Sequence, residues 1–427
     1  MAAVGQGMVA NVLISLTTML GGIATARYLG ASGRGELAAL TTLPAFFSFV
    51  TTLGLPSGLV YHARRAGVRV DAVVAAALTL SLLAGAVGAV LAYAAAPFVL
   101  KGLSPELLGV ARLLVAFTVL GVVNNVAMAA LQARQRFIAY NYVRVSQPAV
   151  QLVATIALGI SHRLTPTSAA LIVLLAGLPG LVWTVGWALA AYRPAWRRWL
   201  SAAREMSSYN ARAYSGELLL GLAGQVDKLI VVGIFAPATM GIYVVALTLS
   251  RIAMMFPNAV VVVLFPKAAG RSADEVIDIT SRAAGGTALL AGLTAAALIV
   301  LGPTLLAFFY GAEFEAAAPA FRLLAIEATV TGIGQVLSQA FMALNRPGLI
   351  TMQYGSGAIA AVPLLLVLAP TWGAEGAAVA LLIASFVRLV CTYWCFKGVL
   401  KIAAPRVLGE IGSSFTLLKT TMLAALR

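Results

Sequence analysis

Charged residues are scarce in this sequence. Asp, Glu, Lys and Arg together make up 10% of its 427 residues, whereas hydrophobic residues make up 61%. A soluble domain carries about 25% charged residues, and no soluble fold of this size hides so much apolar surface in one core. The composition therefore excludes an ordinary soluble protein and favours a chain that uses lipid as its solvent.

Cysteine and histidine are also nearly absent. The two cysteines, Cys391 and Cys395, are four residues apart in one apolar run, which excludes a disulfide framework. The two histidines fall at the ends of apolar runs, so no Ser-His-Asp set can be assembled. Neither a GxxxxGK phosphate loop nor an HExxH zinc pattern occurs. We therefore predict no catalytic residue, no metal, no cofactor and no enzymatic activity.

Apolar runs of about 20 residues, the length that crosses a bilayer, recur along the whole chain. We number the predicted spans 1 to 12 and place them near 8–28, 37–60, 72–97, 107–131, 139–160, 167–192, 208–233, 239–265, 283–309, 317–343, 349–369 and 375–398. The sequence thus predicts an all-α integral membrane protein with about twelve transmembrane helices.

The basic residues predict the orientation of these spans. With the N-terminus in the cytoplasm, eighteen Lys and Arg residues lie in inside loops and the inside tail, and four lie outside, namely Arg27, Arg34, Lys101 and Arg163. Such asymmetry supports twelve spans with both termini in the cytoplasm. It also accounts for the net charge of +15, so we predict no nucleic-acid partner.

The two halves of the chain resemble each other at an offset of about 206 to 213 residues. LGASGRGELAAL after span 1 matches FAPATMGIYVVAL after span 7, which aligns Gly35 with Gly241, and three further segments match in order. The repeat predicts an N-terminal six-helix lobe at 1–192, a cytoplasmic linker at 193–207, a C-terminal six-helix lobe at 208–400 and a cytoplasmic tail at 401–427. A parallel repeat of this kind is common in secondary transporters.

Four segments resemble the polysaccharide flippases of the multidrug/oligosaccharidyl-lipid/polysaccharide exporter superfamily. They are ARYLGASGRGELAAL (26–40), LAGQVDKLIVVGIFAPATMGIYVVAL (222–247), VLFPKAA (263–269) and WGAEGAAVALLIASF (372–386). The resemblance implies two six-helix lobes around a central cavity. It also implies alternating-access movement of an undecaprenyl-pyrophosphate-linked oligosaccharide between leaflets, driven by an ion gradient or the membrane potential. Partners would be membrane lipids and the glycan polymerase and glycosyltransferases of the same pathway.

Two other functions remain open at this point. A cation-coupled multidrug exporter belongs to the same superfamily, although span 1 lacks the Asp and Glu cluster that many such exporters use. A membrane polymerase or ligase of lipid-linked glycans belongs to another class, although such proteins usually need a sizeable external loop and every predicted outside loop is short.

Polar residues inside the spans are the candidate site, because ionisable groups in hydrocarbon are costly unless they are paired or hydrated. Span 5 places Tyr140, Arg144, Gln147 and Gln151 on one stripe. Arginine is suited to pyrophosphate because its planar fork can bind phosphate through two hydrogen bonds. The predicted substrate cavity consists of Arg144, Gln147, Gln151, Glu217, Gln225, Lys228, Arg251, Asn258 and Gln335.

Two smaller predictions concern coupling and gating. Asp227 and Glu217 are candidates for coupling transport to protons or sodium, and Arg27 with Glu36 for an outer gate. The alternative is structural: buried charges could pair between helices, for example Asp227 with Arg251, and Arg27 and Glu36 could be exposed loop charges.

Overall fold

The computed structural model describes residues 2–65, 69–206, 221–222, 225–407 and 409–412. These residues are helical almost throughout, and no strand occurs among them. In hydrocarbon a helix satisfies its own backbone hydrogen bonds, which is why a chain this apolar folds in this way. The predicted all-α fold class is confirmed.

The main α-helices of the described chain are numbered α1 to α15 in chain order. They are α1 (Ala2–Thr51), α2 (Leu55–Ala63), α3 (Val70–Val99), α4 (Pro105–Leu114), α5 (Phe117–Ala133), α6 (Phe137–Ile160), α7 (Pro166–Leu175), α8 (Leu178–Tyr192), α9 (199–206), α10 (Val226–Ile234), α11 (Pro237–Ser250), α12 (Met255–Ala268), α13 (Ala273–Tyr310), α14 (Ala318–Ala343) and α15 (Gly348–Trp394). A short 3₁₀ segment, Arg251–Met254, joins α11 to α12.

Nine helical stretches of the described chain are long and apolar enough to cross a membrane. Two of them, Val9–Thr51 and Gly348–Val399, are 43 and 52 residues long, about twice the length of one crossing. Each is broken once, so each is long enough for two crossings, and the nine stretches together have the length for eleven. Most of predicted span 7 (208–233) lies outside the described residues, and α10 is its C-terminal end. The prediction of about twelve spans is consistent with this count.

The breaks differ from the predicted loops. Gly30 has φ 67° and ψ −178°, and Gly373 has φ 59° and ψ −135°, both in regions that residues with a Cβ avoid. One glycine thus turns the chain where a loop of several residues was predicted, because its neighbours on both sides keep helical geometry. Predicted span 2 (37–60) is interrupted near its end, because α1 stops at Thr51 and α2 begins at Leu55.

By packing, the chain divides into two compact units, Met1–Gly241 and Ile242–Arg427. The first unit includes α10, which packs on α1 and α3. The boundary between the packed units therefore comes after α10, although α10 belongs to predicted span 7, with which the second predicted lobe begins. The lobe boundaries drawn from the repeat, with a linker at 193–207, stay predictions.

In both units small apolar residues are buried between helices, whereas many large apolar residues are exposed. Alanines fill the tightest helix contacts, as is usual between membrane helices, where small side chains let backbones approach; in α3 they include Ala75, Ala76, Ala77, Ala92 and Ala96. Large apolar side chains remain exposed on outward faces, for example Val90, Phe98, Val300, Ile359 and Val390. In water such faces would be unfavourable, so the arrangement agrees with a lipid surround.

The two glycines that the repeat aligns lie at a close backbone contact in the first unit. A Cβ added at Gly35 would lie 1.7 Å from the carbonyl oxygen of Pro237, and one added at Gly241 would lie 1.9 Å from that of Ala31. Only glycine leaves room for this crossing between the second half of α1 and the start of α11.

Candidate functional site

A polar cavity of about 360 Å³ opens in the first unit. It is enclosed by the end of α1, by α2, and by the facing sides of α5 and α6. Its polar lining residues are Thr52, Ser57, Asn124, Asn125, Gln132, Tyr140, Arg144 and Gln147. Hydroxyl and amide groups of this kind can both donate to and accept from sugar hydroxyls.

A second cavity, of about 300 Å³, adjoins the first and shares Arg144 and Gln147 with it. Its other lining residues are Ile14 and Thr18 from α1 and Pro148 and Gln151 from α6. Arg144, Gln147 and Gln151, which the sequence placed on one helical stripe, therefore line these two adjoining cavities together. Their role as substrate ligands stays a prediction.

Arg144 carries the positive charge of both cavities. Its Nη2 donates a hydrogen bond to Oδ1 of Asn11 at 3.0 Å, and its Cζ lies 5.4 Å from the ring centre of Tyr140. Among the described residues no carboxylate lies within ion-pair distance of it. Its contacts orient the guanidinium without neutralising it, so an anion in the cavity would be attracted.

Helix α1 contributes a polar stripe that the sequence analysis missed. Asn11, Ser15 and Thr18 are exposed and are spaced four and three residues apart, so they share one face. Polar side chains facing hydrocarbon are unfavourable, and α1 packs on α6, where Arg144 lies. The spacing was visible in the sequence, but these uncharged residues gave a weaker signal than the ionisable ones.

A second group of charges lies in the second unit, around Glu327 of α14. Nη1 of Arg251 is 3.2 Å from Oε2 of Glu327, and Nη2 of Arg388 is 3.8 Å from Oε1. The Glu327 side chain is only 6% exposed, and the side chains of Arg388 and Arg251 are 18% and 40% exposed. The ion pair of Arg251 is thus with Glu327, whereas the structural alternative in the sequence analysis offered Asp227.

Hydroxyl groups complete this cluster. Ser385 donates a hydrogen bond to Glu327 Oε1 at 2.9 Å, and Thr331 donates another to the same oxygen. Arg388 Nη2 donates to both hydroxyls, and its Cζ lies 5.4 Å from the ring centre of Tyr354. The buried carboxylate and the buried guanidinium therefore have several partners each, as buried ionic groups require.

The other predicted site residues that the structure describes do not line either cavity. Lys228 is exposed and donates to Oε1 of Gln225 at 3.3 Å. Asn258 is exposed on α12, and Gln335 is half-buried on α14. Glu217 lies outside the described residues. The cavity role of all four described residues stays a prediction.

The coupling and gate predictions also stay untested. Asp227 is half-buried at the start of α10. Arg27 is exposed just before the break at Gly30, and Glu36, just after it, accepts a weak hydrogen bond from Ser32 at 3.5 Å.

Comparison with known proteins identifies the family. A family model described as "Polysaccharide biosynthesis protein" matches residues 24–319, which is more than half of the chain. Comparison with curated protein sequences finds no significant match.

Solved structures show the fold. The chain is similar to "Lipid II flippase MurJ, inward closed conformation", with TM-score 0.79, 13% identity and coverage of 98% of this chain and 92% of that one. It is also similar to "Inward-facing conformation of a multidrug resistance MATE family transporter of the MOP superfamily", with TM-score 0.72, 18% identity and coverage of 96% and 99%.

A third match, "Crystal structure of MATE in the bent conformation", has TM-score 0.56, 20% identity and coverage of 97% and 96%. At these identities the likeness is one of fold. It nevertheless extends over nearly all of the chain in every case. The chain therefore belongs to the polysaccharide biosynthesis protein family and is a multi-pass membrane protein with the fold of MurJ and of the MATE transporters.

Proposed function

We propose that this protein is a flippase that moves a polyprenyl-pyrophosphate-linked oligosaccharide across the bacterial inner membrane by alternating access. The observation that carries the proposal is the cavity pair around Arg144, which combines one cation without a carboxylate partner among the described residues with a lining of amides and hydroxyls. A pyrophosphate needs the cation, and an oligosaccharide needs the neutral hydrogen-bonding groups.

The multidrug-exporter alternative fits this cavity less well. None of the described residues that line the two cavities is acidic, and Arg144 would repel an organic cation. The polymerase and ligase alternative is favoured by neither of the two solved structures with the highest fold similarity named above, a flippase and a multidrug transporter. Glycan polymerases and glycosyltransferases of the same pathway remain proposed partners, and Asp227 and Glu217 remain proposed coupling groups for an ion gradient or the membrane potential.

We expect Arg144→Ala to slow transfer of a labelled undecaprenyl-pyrophosphate oligosaccharide between the leaflets of reconstituted liposomes. A hydrogen-bonded charge contributes about 2 kcal/mol, so the rate at limiting substrate should fall by about thirtyfold. Arg163→Ala is the matched control, because Arg163 is exposed in the connection between α6 and α7. Both variants are measured with and without an imposed ion gradient.

Transfer by the wild type that Arg144→Ala slows and Arg163→Ala leaves unchanged would support the proposal. An unchanged rate in Arg144→Ala would remove Arg144 from the site. Absence of transfer, with efflux of small organic cations from the same liposomes, would favour the multidrug exporter instead.

The proposed orientation has its own test. In a variant whose two cysteines are alanine, Arg163→Cys should react with a membrane-impermeant thiol reagent added to intact cells. Arg197→Cys, in the predicted cytoplasmic linker, should react only after the cells are lysed. Both side chains are exposed, so a difference in labelling reports the side of the membrane. The reverse pattern would contradict the orientation with both termini in the cytoplasm.

A further inference from the structure

The cluster around Glu327 has more positive than negative charge. It contains two guanidinium groups, Arg251 and Arg388, and the single carboxylate of Glu327. If all three are ionised, the net charge is +1. A buried net charge is unfavourable unless water or a counter-ion stabilises it. The position at which the surplus charge reaches the surface therefore decides what the cluster can bind.

The surplus charge is exposed at Arg251. Arg388 is mostly buried and directs its Nη2 to the hydroxyls of Thr331 and Ser385 and towards Glu327. Arg251, in contrast, is 40% exposed, and its side-chain hydrogen bond to Glu327 uses Nη1 alone. Its Nε and Nη2 have no hydrogen-bond partner among the described residues and remain available to a ligand, and these two groups form the edge that binds phosphate in a bidentate manner.

Arg388 keeps the net charge of the cluster positive. If Glu327 had Arg251 as its only cationic partner, the pair would be neutral and would attract anions weakly. Because Arg388 shares the carboxylate, the three groups together remain cationic. Glu327 meanwhile holds the long Arg251 side chain in one orientation, which reduces the entropy that a ligand must remove on binding.

We propose that Glu327 and Arg388 are positioning residues for Arg251, which belongs to the predicted substrate cavity, and that together they prepare Arg251 to bind a pyrophosphate. Glu327 orients Arg251, and Arg388 offsets the charge of Glu327. The inference rests on the proposed function for its ligand class, but it concerns binding of an anion and is tested without transport.

The test measures the shift in thermal midpoint that inorganic pyrophosphate produces in the purified full-length protein, against sodium chloride at equal ionic strength. Arg251→Ala should reduce the shift. Arg388→Met should weaken the apparent affinity by about tenfold or more, because Glu327 then neutralises Arg251. Adding Glu327→Gln to Arg388→Met should restore the affinity. No carboxylate then offsets the charge of Arg251, and the glutamine side chain still offers it a hydrogen-bond acceptor. Any contribution from the Arg144 cavity is constant across this series.

Two variants separate charge from packing. Arg388→Lys keeps the cation and should bind as the wild type does, and Arg388→Gln replaces the methionine variant if that one does not fold. Arg322→Met is the matched control, because Arg322 is an exposed arginine elsewhere on α14.

Wild-type affinity in the neutral Arg388 variants, or affinity in the Arg388→Met, Glu327→Gln double variant that stays as low as in Arg388→Met, would overturn the inference. So would a lysine variant as weak as the methionine variant. If the binding series behaves as expected but no lipid-linked oligosaccharide is transferred, the proposed function fails and the anion site stands. If transfer occurs but the binding series does not behave as expected, only the inference fails.

Discussion

Gly35→Ala is expected to reduce the yield of folded protein sharply and to lower the thermal midpoint of whatever folds. The added Cβ would lie 1.7 Å from the carbonyl oxygen of Pro237 and 2.9 Å from the amide nitrogen of Gly241. Both obstacles are backbone atoms, which cannot rotate away as a side chain can. Overpacking usually costs about 1–3 kcal/mol, and we expect this substitution to reach or exceed the upper end of that range.

The contact makes a second variant equally informative. A Cβ at Gly241 would lie 1.9 Å from the carbonyl oxygen of Ala31, so Gly241→Ala should be as destabilising as Gly35→Ala. Gly109→Ala is the control, because a Cβ at Gly109 meets nothing within 4 Å. Monodisperse yield in detergent and the thermal midpoint are the measurements. Wild-type values for Gly35→Ala would show that α1 and α11 do not cross this closely.

Glu327→Gln is expected to destabilise the protein by about 3 kcal/mol, the lower end of the range for breaking a buried ion pair. The substitution leaves Arg388 and Arg251 close together with no carboxylate to offset them. Solvent around the partly exposed Arg251 relieves some of this repulsion, which is why we place the loss at the lower end.

Removing the buried cation as well should reverse most of that loss. In the double variant Glu327→Gln, Arg388→Met, Arg251 is the one charge left of the three, and it is partly exposed to solvent. The measurement is the thermal midpoint of the single and double variants in the same detergent. Glu375→Gln is the control because Glu375 is an exposed glutamate near the break in α15. A double variant less stable than Glu327→Gln alone would show that Arg388 stabilises the protein through other contacts.

The helical stripes show how much of the candidate site can be predicted from the sequence. The stripe of α6 was predictable because residues three and four apart share a helical face, and Arg144, Gln147 and Gln151 do line cavities together. The pairing of Arg251 with Glu327 was not predictable, since the two residues are 76 positions apart and helical spacing says nothing about which faces of distant helices meet. Helical spacing alone puts Thr331 one turn from Glu327 on α14, but it leaves the partners of Glu327 on other helices open.

The breaks in α1 and α15 show the same limit at a smaller scale. Hydrophobic runs predicted four crossings there, and the structure has four. What the runs could not show is that a single residue, Gly30 or Gly373, makes each turn, because a glycine beside polar residues is equally compatible with a loop. The backbone conformation decides between these possibilities, and it depends on the contacts of the helices on either side.

The sequence by itself determined that this protein is helical, that it crosses the membrane about twelve times and that it resembles a family of flippases. These properties follow from composition, from the length of apolar runs and from local motifs, all of which are readable along the chain. The tertiary structure decided which charges are neutralised. Glu327 offsets Arg251 and Arg388, while Arg144 has only neutral partners among the described residues. Neutralisation depends on distances between helices remote in sequence, and only packing fixes those distances.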